Sequence, residues 1–351
     1  HPTVPPFAKP EKTEQEEMAS SSSPPLLPLL LLLGMFSALR AHASGKGMAL
    51  YWGWHVNNIT AAGLEMACKT GQFEQVNIAF LTDFGYGKPP TPDFGTGCDA
   101  PSGGCKYLQS EIEYCQSVNV KVLLSIGGFD ATYRLPNEEE AHRLAAHVYN
   151  VYLSGYGVDG PLGKVKLDGV DFWINDTLPT AYWDVVAEDL KRYDEKLILT
   201  GSQACNHSLG VPDIPIFYAL KTGLFSRVWA RVFGDYYPCV YERGNTASFE
   251  SAVRNWTTDF EGYVGDFRIA VDCHPKYIRG FIPPEEIEGA LDIVRKYPRY
   301  SGVAVWNRHW DVKYKEDGYA KWPYSETIYP HVQDSLEPDD DDAVRHQHLH
   351  E

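Results

Sequence analysis

The sequence is short of positive charge. Its 351 residues contain 31 Lys and Arg against 47 Asp and Glu, which gives a formal net charge of −16 at pH 7. Proteins that bind nucleic acids or anionic membranes carry Lys and Arg on the surface that meets the phosphates. The charge therefore argues against a nucleic acid or a membrane as the partner.

The sequence also lacks Cys and His clusters at metal-ligand spacing, which excludes a structural zinc site. On this ground we expect neither a metal nor a cofactor. No Ser/Gly-rich linker interrupts residues 45–335, so we expect one large domain there. The seven cysteines are an odd number, which in an exported chain predicts paired bridges and one leftover thiol. Spacing alone leaves the connectivity open.

The N-terminal region contains an apolar run, at 26–39, that is short for a membrane span. Together with the small-x-small pattern at 41–43, it predicts a signal peptide over 18–43 and a secreted protein that starts near Ser44 or Gly45. Residues 1–17 are polar and predict an unstructured extension or an upstream gene-model artefact. The acidic and His-rich residues 336–351 predict a disordered tail, with metal binding as the alternative.

Strand-like apolar runs alternate with helix-like stretches throughout the remaining chain. Eight such runs at this length predict a single (β/α)₈ TIM barrel over 45–335. The runs are Met48–Trp54, Val76–Leu81, Lys121–Gly128, Asp168–Ile174, Lys196–Ser202, Val228–Phe233, Phe267–Asp272 and Gly302–Asn307.

The stretch 166–176, which contains the fourth run, carries the most informative pattern. Alternation places Asp171, Trp173 and Asn175 on one face of the strand, which is expected to face the barrel interior. The stretch resembles the signature strand of glycoside hydrolase family 18, in particular plant class III chitinases of the hevamine type. That family's pattern is Asp-Gly-x-Asp-x-Asp-x-Glu. Asp171 matches the first of the three catalytic acids, whereas Trp173 replaces the second and Asn175 replaces the proton donor.

The resemblance implies a reaction that this chain is poorly equipped to perform. In the family, the acetamido group of the substrate is the nucleophile, and one protein carboxyl carries the proton. An amide such as Asn175 does not release a proton near neutral pH. Trp173 would fill the space of the acetamido group, and Phe233 stands where the family has an active-site tyrosine. Asp176 is an alternative acid, but alternation turns it outward.

Four other stretches extend the resemblance over 45–335. They are residues 49–53, 76–80, 125–128 and 305–306, which resemble the first, second, third and eighth strands of the family. By this resemblance Tyr51, Gly127, Gly128 and Trp306 line the sugar cleft. It also implies three disulfides, a buried free thiol at Cys273, and cis peptides at Ala79–Phe80 and Trp306–Asn307. The implied disulfides are Cys68–Cys115, Cys98–Cys105 and Cys205–Cys239.

Cereal xylanase-inhibitor proteins of the same fold share an extra residue before Cys239 and a bulky residue at the position of Trp173. In those inhibitors, a long basic loop before the fifth strand enters a xylanase. In this chain the corresponding link is only residues 192–196. The resemblance thus favours an inactive, monomeric defence protein, apoplastic or vacuolar, which inhibits a microbial glycosidase other than that xylanase class. The alternatives are a chitin-oligosaccharide-binding lectin, a storage protein, or a chitinase with an unusual acid.

Four Asn-x-Ser/Thr sequons are present, and the second is expected to lie unused in the barrel mouth. Their asparagines are Asn58, Asn175, Asn206 and Asn255.

Overall fold

Eight parallel strands pair with one another into a closed ring, which confirms the predicted (β/α)₈ barrel. The computed structural model describes residues 47–54, 63–95, 98–129, 131–175, 182–234, 239–276, 279–297 and 299–334. The barrel strands are β1 (Met48–Gly53), β2 (Gln75–Gly85), β4 (Lys121–Gly127), β6 (Gly169–Trp173), β7 (Ile198–Ala204), β8 (Arg227–Arg231), β9 (Asp266–Asp272) and β10 (Tyr300–Trp306). Each lies largely within one of the eight predicted runs.

In the part of the chain that the structure describes, two short strands stand outside the ring. β3 (Lys88–Pro92) pairs antiparallel with an extension of β2, and β5 (Thr132–Tyr133) pairs with the same extension. The second run was therefore predicted too short, because β2 continues to Gly85. The sixth was predicted too long, because β8 ends at Arg231 and Phe233 follows the strand.

Helices cover the outside of the ring, and none in the described part of the chain is long and apolar enough to cross a membrane. A π-helical turn, Tyr149–Leu153, continues the third helix. The helices are α1 (Leu64–Lys69), α2 (Leu108–Ser117), α3 (Glu138–Val148), α4 (Trp183–Tyr193), α5 (Phe217–Lys221), α6 (Ala247–Asp259), α7 (Pro284–Val294), α8 (Arg308–Glu316) and α9 (Tyr324–Asp334).

The period-two pattern of the strands divides the core in two. Outward residues such as Phe172 pack under the helices, where its ring lies 6.1 Å from that of Trp183 on α4. Inward residues form a separate cluster inside the ring, which includes Tyr51, Trp173 and Trp306. The link from α4 to β7 is only residues 194–197, so the connection before the fifth barrel strand is short, as the sequence predicts.

The cysteine pairs implied by the resemblance are all bonded. The Cα atoms of Cys68–Cys115, Cys98–Cys105 and Cys205–Cys239 lie 5.4, 5.0 and 6.0 Å apart, within the range of ordinary disulfides. Cys273 is a buried free thiol. Three disulfides are typical of proteins in oxidising compartments, as expected of a secreted chain. The peptides Ala79–Phe80 and Trp306–Asn307 are cis.

Several predictions from the sequence lie outside the described residues. They concern the extension at 1–17, the signal peptide at 18–43, the tail at 336–351, the sequon at Asn58, and the alternative acid Asp176.

Candidate functional site

Asp171 lies fully buried inside the barrel, where four side chains donate hydrogen bonds to its carboxylate. Tyr51 Oη and Ser125 Oγ donate to Oδ2 at 2.9 and 2.7 Å. Thr200 Oγ1 and Trp229 Nε1 donate to Oδ1 at 2.7 and 2.8 Å. The four donors come from β1, β4, β7 and β8, so the carboxylate ties four other strands to β6.

Burial is the main cause of the pKa shifts of Asp171 and Tyr51. Complete burial raises the pKa of Asp171 above its usual value, although the four hydrogen bonds act in the opposite direction. Burial and the charge of Asp171 raise the pKa of Tyr51 well above its usual value. Tyr51 therefore stays a hydrogen-bond donor, and Asp171 acts here as a buried acceptor without contact with solvent.

Trp173, two residues along the same face of β6, fills the barrel above Asp171. Its ring centroid lies 4.4 Å from that of Trp306 and 4.7 Å from that of Tyr51, the latter edge-on. Phe80 and Phe129 contact it at 5.4 and 5.2 Å. The indole is completely buried, so the three aromatic residues predicted around the cleft meet and close it.

Asn175 is held at the mouth by polar contacts. Its side-chain oxygen accepts a hydrogen bond from Arg231 Nη2 at 2.6 Å, and its amide nitrogen donates to the carbonyl of Gly128 at 3.5 Å. Its backbone N–H donates to Tyr133 Oη at 2.6 Å. Arg231 also places its guanidinium carbon 4.2 Å from the centre of the Trp173 ring, a cation–π contact. Arg231 thus contacts both Asn175 and Trp173.

At Gly127 and Gly128 the backbone comes so close to its neighbours that a side chain would not fit. Gly127 has φ +102°, and a Cβ there would lie 2.1 Å from the carbonyl oxygen of Trp173. At Gly128, with φ +107°, a Cβ would lie 2.8 Å from the ring of Phe80. The two glycines therefore let the end of β4 pack against the aromatic cluster.

Phe233 lies beside the same cluster, its ring 6.5 Å from that of Trp173. It is buried and supplies no hydroxyl. The structure thus brings together all the residues predicted for the cleft, and it packs their aromatic rings against one another.

Arg231, Phe80 and Asp272 at this site were missed as functional candidates in the sequence. Alternation on β8 and β9 could have indicated the first and last, since Arg231 follows inward Trp229 and Asp272 follows inward Ala270 at a spacing of two. Burial raises the pKa of Asp272 well above its usual value.

Beside the closed centre lies an open cavity of about 450 Å³. Tyr86, Phe129 and Tyr133 supply aromatic surface, and Lys88, Thr132 and Asn175 supply polar groups. Among the described residues, no group of three or more His, Cys, Asp or Glu side chains could hold a metal ion.

No family model matches the chain, but individual relatives do. An acidic endochitinase of Vitis vinifera is 34% identical over 300 residues, which cover 84% of this chain and 95% of the relative. Among solved structures, a chitinase from Ipomoea carnea superposes with a TM-score of 0.70 at 30% identity, covering 82% of this chain and all of that one. A xylanase-α-amylase inhibitor protein, solved with trehalose, superposes with a TM-score of 0.68 at 28% identity, covering 81% and 98%. The chain therefore belongs to the family of the plant acidic endochitinases, that is, of the class III chitinases in glycoside hydrolase family 18.

Proposed function

We propose that this chitinase-like protein is catalytically silent and acts by binding, as a secreted, defence-related inhibitor of microbial glycosidases. One observation carries the proposal: the side chain at the family's proton-donor position is the amide of Asn175, held by Arg231. General acid catalysis needs a group that can release a proton to the leaving oxygen. An amide bonded to a guanidinium can orient a ligand but cannot supply that proton.

The neighbouring positions support the same conclusion. The substrate's acetamido group would need the space that the Trp173 indole occupies between Tyr51 and Trp306. The only catalytic acid retained from the signature, Asp171, is committed to four donors below the indole. A sugar therefore meets neither a proton donor nor an open subsite.

Inhibition is favoured over the other binding roles by the relative described as a xylanase and α-amylase inhibitor, which shares the barrel at 28% identity. The short link at 194–197 argues that the contact surface differs from the long basic loop of the cereal inhibitors. The partner we propose is therefore a microbial glycosidase that docks on the loops around the closed mouth.

Inhibition can be tested by titrating the purified full chain against a panel of microbial xylanases, chitinases and α-amylases. We expect stoichiometric inhibition of at least one of these enzymes and a complex that survives gel filtration. The absence of both, across the panel, would contradict the inhibitor assignment.

Catalytic silence is tested separately with chitin oligomers. We expect no turnover by the wild type, since loss of general acid catalysis alone costs about two to four decades in rate. Asn175→Glu should remain silent because Trp173 still fills the subsite. Turnover at the level of a class III chitinase, abolished by Asp176→Ala, would instead assign an active chitinase with Asp176 as its acid.

A chitin-type oligosaccharide is the second candidate partner. The aromatic and polar cavity beside the mouth favours it, because sugars bind clefts that combine ring faces with hydrogen-bonding groups. Retention on chitin that is lost in Phe129→Ala, without inhibition of any enzyme, would favour this lectin function.

A further inference from the structure

The described residues include three of the four sequon asparagines, and their surroundings differ. N-glycosylation attaches a bulky oligosaccharide to the side-chain amide, so the folded product must present that amide to solvent on a surface loop. The three asparagines can be compared on this requirement.

Two of them are already engaged in the fold. Asn175 is held in the barrel mouth between Arg231 and the carbonyl of Gly128. Asn255 lies within helix α6, half-buried, and its amide donates to the carbonyl of His207 at 3.1 Å. A sugar on either amide would replace a contact that the folded chain uses.

Asn206 differs because it is exposed on the loop that follows β7. Its neighbours on both sides are buried. Cys205 is bonded to Cys239, and the imidazole of His207 lies between the carboxylates of Asp213 and Asp259, at 2.6 and 2.7 Å. Asn206 is thus an exposed residue between two buried and anchored neighbours.

The same loop also exposes apolar side chains a few residues further along the chain. Leu209 is 51% and Val211 46% exposed, although the loop around them is held by hydrogen bonds from Gly210 N to Asp259 and from Ser208 N to Asp213. An oligosaccharide is bulky and solubilising, and adjacent exposed side chains of this kind are the surface that it would cover.

We propose that Asn206 carries an N-linked oligosaccharide, which stands on the rim of the barrel and covers Leu209 and Val211. In the transfer, the amide nitrogen of Asn206 forms a bond to C1 of the first sugar of a lipid-linked oligosaccharyl diphosphate. The bond between C1 and the diphosphate oxygen breaks, the lipid diphosphate leaves with the electron pair, and the amide loses one proton. The three disulfides support passage through the compartment where this reaction takes place.

The test is expression of the full chain in plant leaves, followed by enzymatic deglycosylation in heavy-oxygen water and peptide mass spectrometry. The enzyme converts a glycosylated asparagine into labelled aspartate. We expect the label at position 206 and none at 175 or 255. An unlabelled peptide containing Asn206 would overturn the proposal, and label at either of the other two positions would contradict the argument from exposure on which it rests.

Two matched variants connect the sugar to the exposed surface. Ser208→Ala destroys the sequon and should lose the mass of one glycan, whereas Ser208→Thr preserves the sequon and should keep it. The Ser208→Ala protein should also bind more of a hydrophobic dye than the Ser208→Thr protein, and Leu209→Ser in that background should reduce the excess. Equal dye binding by both variants would show that the glycan does not cover this surface.

Discussion

The lower and upper halves of the barrel interior fill the same ring of strands with different chemistry. In the lower half, the carboxylate of Asp171 accepts four hydrogen bonds from four strands. In the upper half, one step along the same face of β6, Trp173 packs against aromatic rings from β1, β2 and β10. One strand thus carries a buried polar network at Asp171 and a hydrophobic cluster at Trp173.

The two positions differ in the partners that the surrounding strands offer them. A buried carboxylate is costly unless every lone pair is satisfied, and removing it would leave four donors without an acceptor. Asp171 is therefore retained by the packing around it, whether or not chemistry follows. The position of Trp173 has no such partners, so an aromatic ring can occupy it and gain stability from its contacts.

The largest expected effect comes from emptying the upper half. Trp173→Ala removes an indole with 0% exposure and leaves a cavity between Tyr51 and Trp306. We expect a loss of about 3–5 kcal/mol in the free energy of unfolding, measured by urea titration. Trp322→Ala is the matched control, since Trp322 is 45% exposed and should change stability by less than about 0.5 kcal/mol. Similar losses in both variants would show that the aromatic cluster adds no special stability.

The next effect comes from the lower half. Asp171→Asn keeps the shape but turns an amide N–H₂ toward two of the four donors, which then lack an acceptor. We expect a loss of about 2–4 kcal/mol in the free energy of unfolding. Asp159→Asn serves as the control, because Asp159 forms an exposed ion pair with Lys106 at 2.7 Å that contributes little. If Asp171→Asn is neutral, the network does not stabilise the barrel, and the contrast between the two halves fails.

Much of this contrast could be predicted from the sequence, because both halves follow from alternation on known strands. Period two places Asp171 and Trp173 inward, and the resemblance places Tyr51 and Trp306 opposite them. The donors to Asp171 are harder to predict. Thr200 and Trp229 lie 29 and 58 residues away in sequence, and only the closed ring with its register brings them within hydrogen-bond distance.

The errors have local physical causes. The hairpin of β2 and β3 was not predicted, because Pro89 and Pro90 argue against a strand; β3 tolerates them in a short strand that pairs with β2. The contact of Arg231 with Asn175 and Trp173 was missed because a charged residue on a barrel strand is equally compatible with an ion pair. Here the guanidinium of Arg231 donates to the side-chain amide of Asn175 and lies over the indole ring of Trp173.

A smaller effect is expected for sugar binding. Wild-type protein, titrated with a chitin oligomer and followed by tryptophan fluorescence, should show no saturable change, because the indole of Trp173 closes the subsite. Trp173→Asp should gain at least about tenfold in affinity, or about 1.4 kcal/mol. Near-UV circular dichroism must show that this variant is folded. Tight binding by the wild type that is lost in Trp306→Ala would mean instead that the cleft is open.

The smallest effect concerns Asp272, an acid on the inward face of β9 at the height of Trp306. Burial raises its pKa well above the usual value, and neither carboxylate oxygen has a hydrogen-bond partner among the described residues. A raised carboxyl pKa means that the folded state holds the proton more tightly than the unfolded state. The contribution of Asp272 is therefore most favourable in acid, and it is lost as the pH rises from the ordinary range of an aspartate through the raised pKa.

Asp272→Asn removes the charge and keeps the shape. It should leave stability nearly unchanged near pH 4 and increase it by about 1 kcal/mol at pH 7. Urea titrations at the two pH values measure both numbers. A loss of stability at pH 7 would mean that the carboxylate is ionised and satisfied, so that the upper half contains a polar network comparable to that of Asp171.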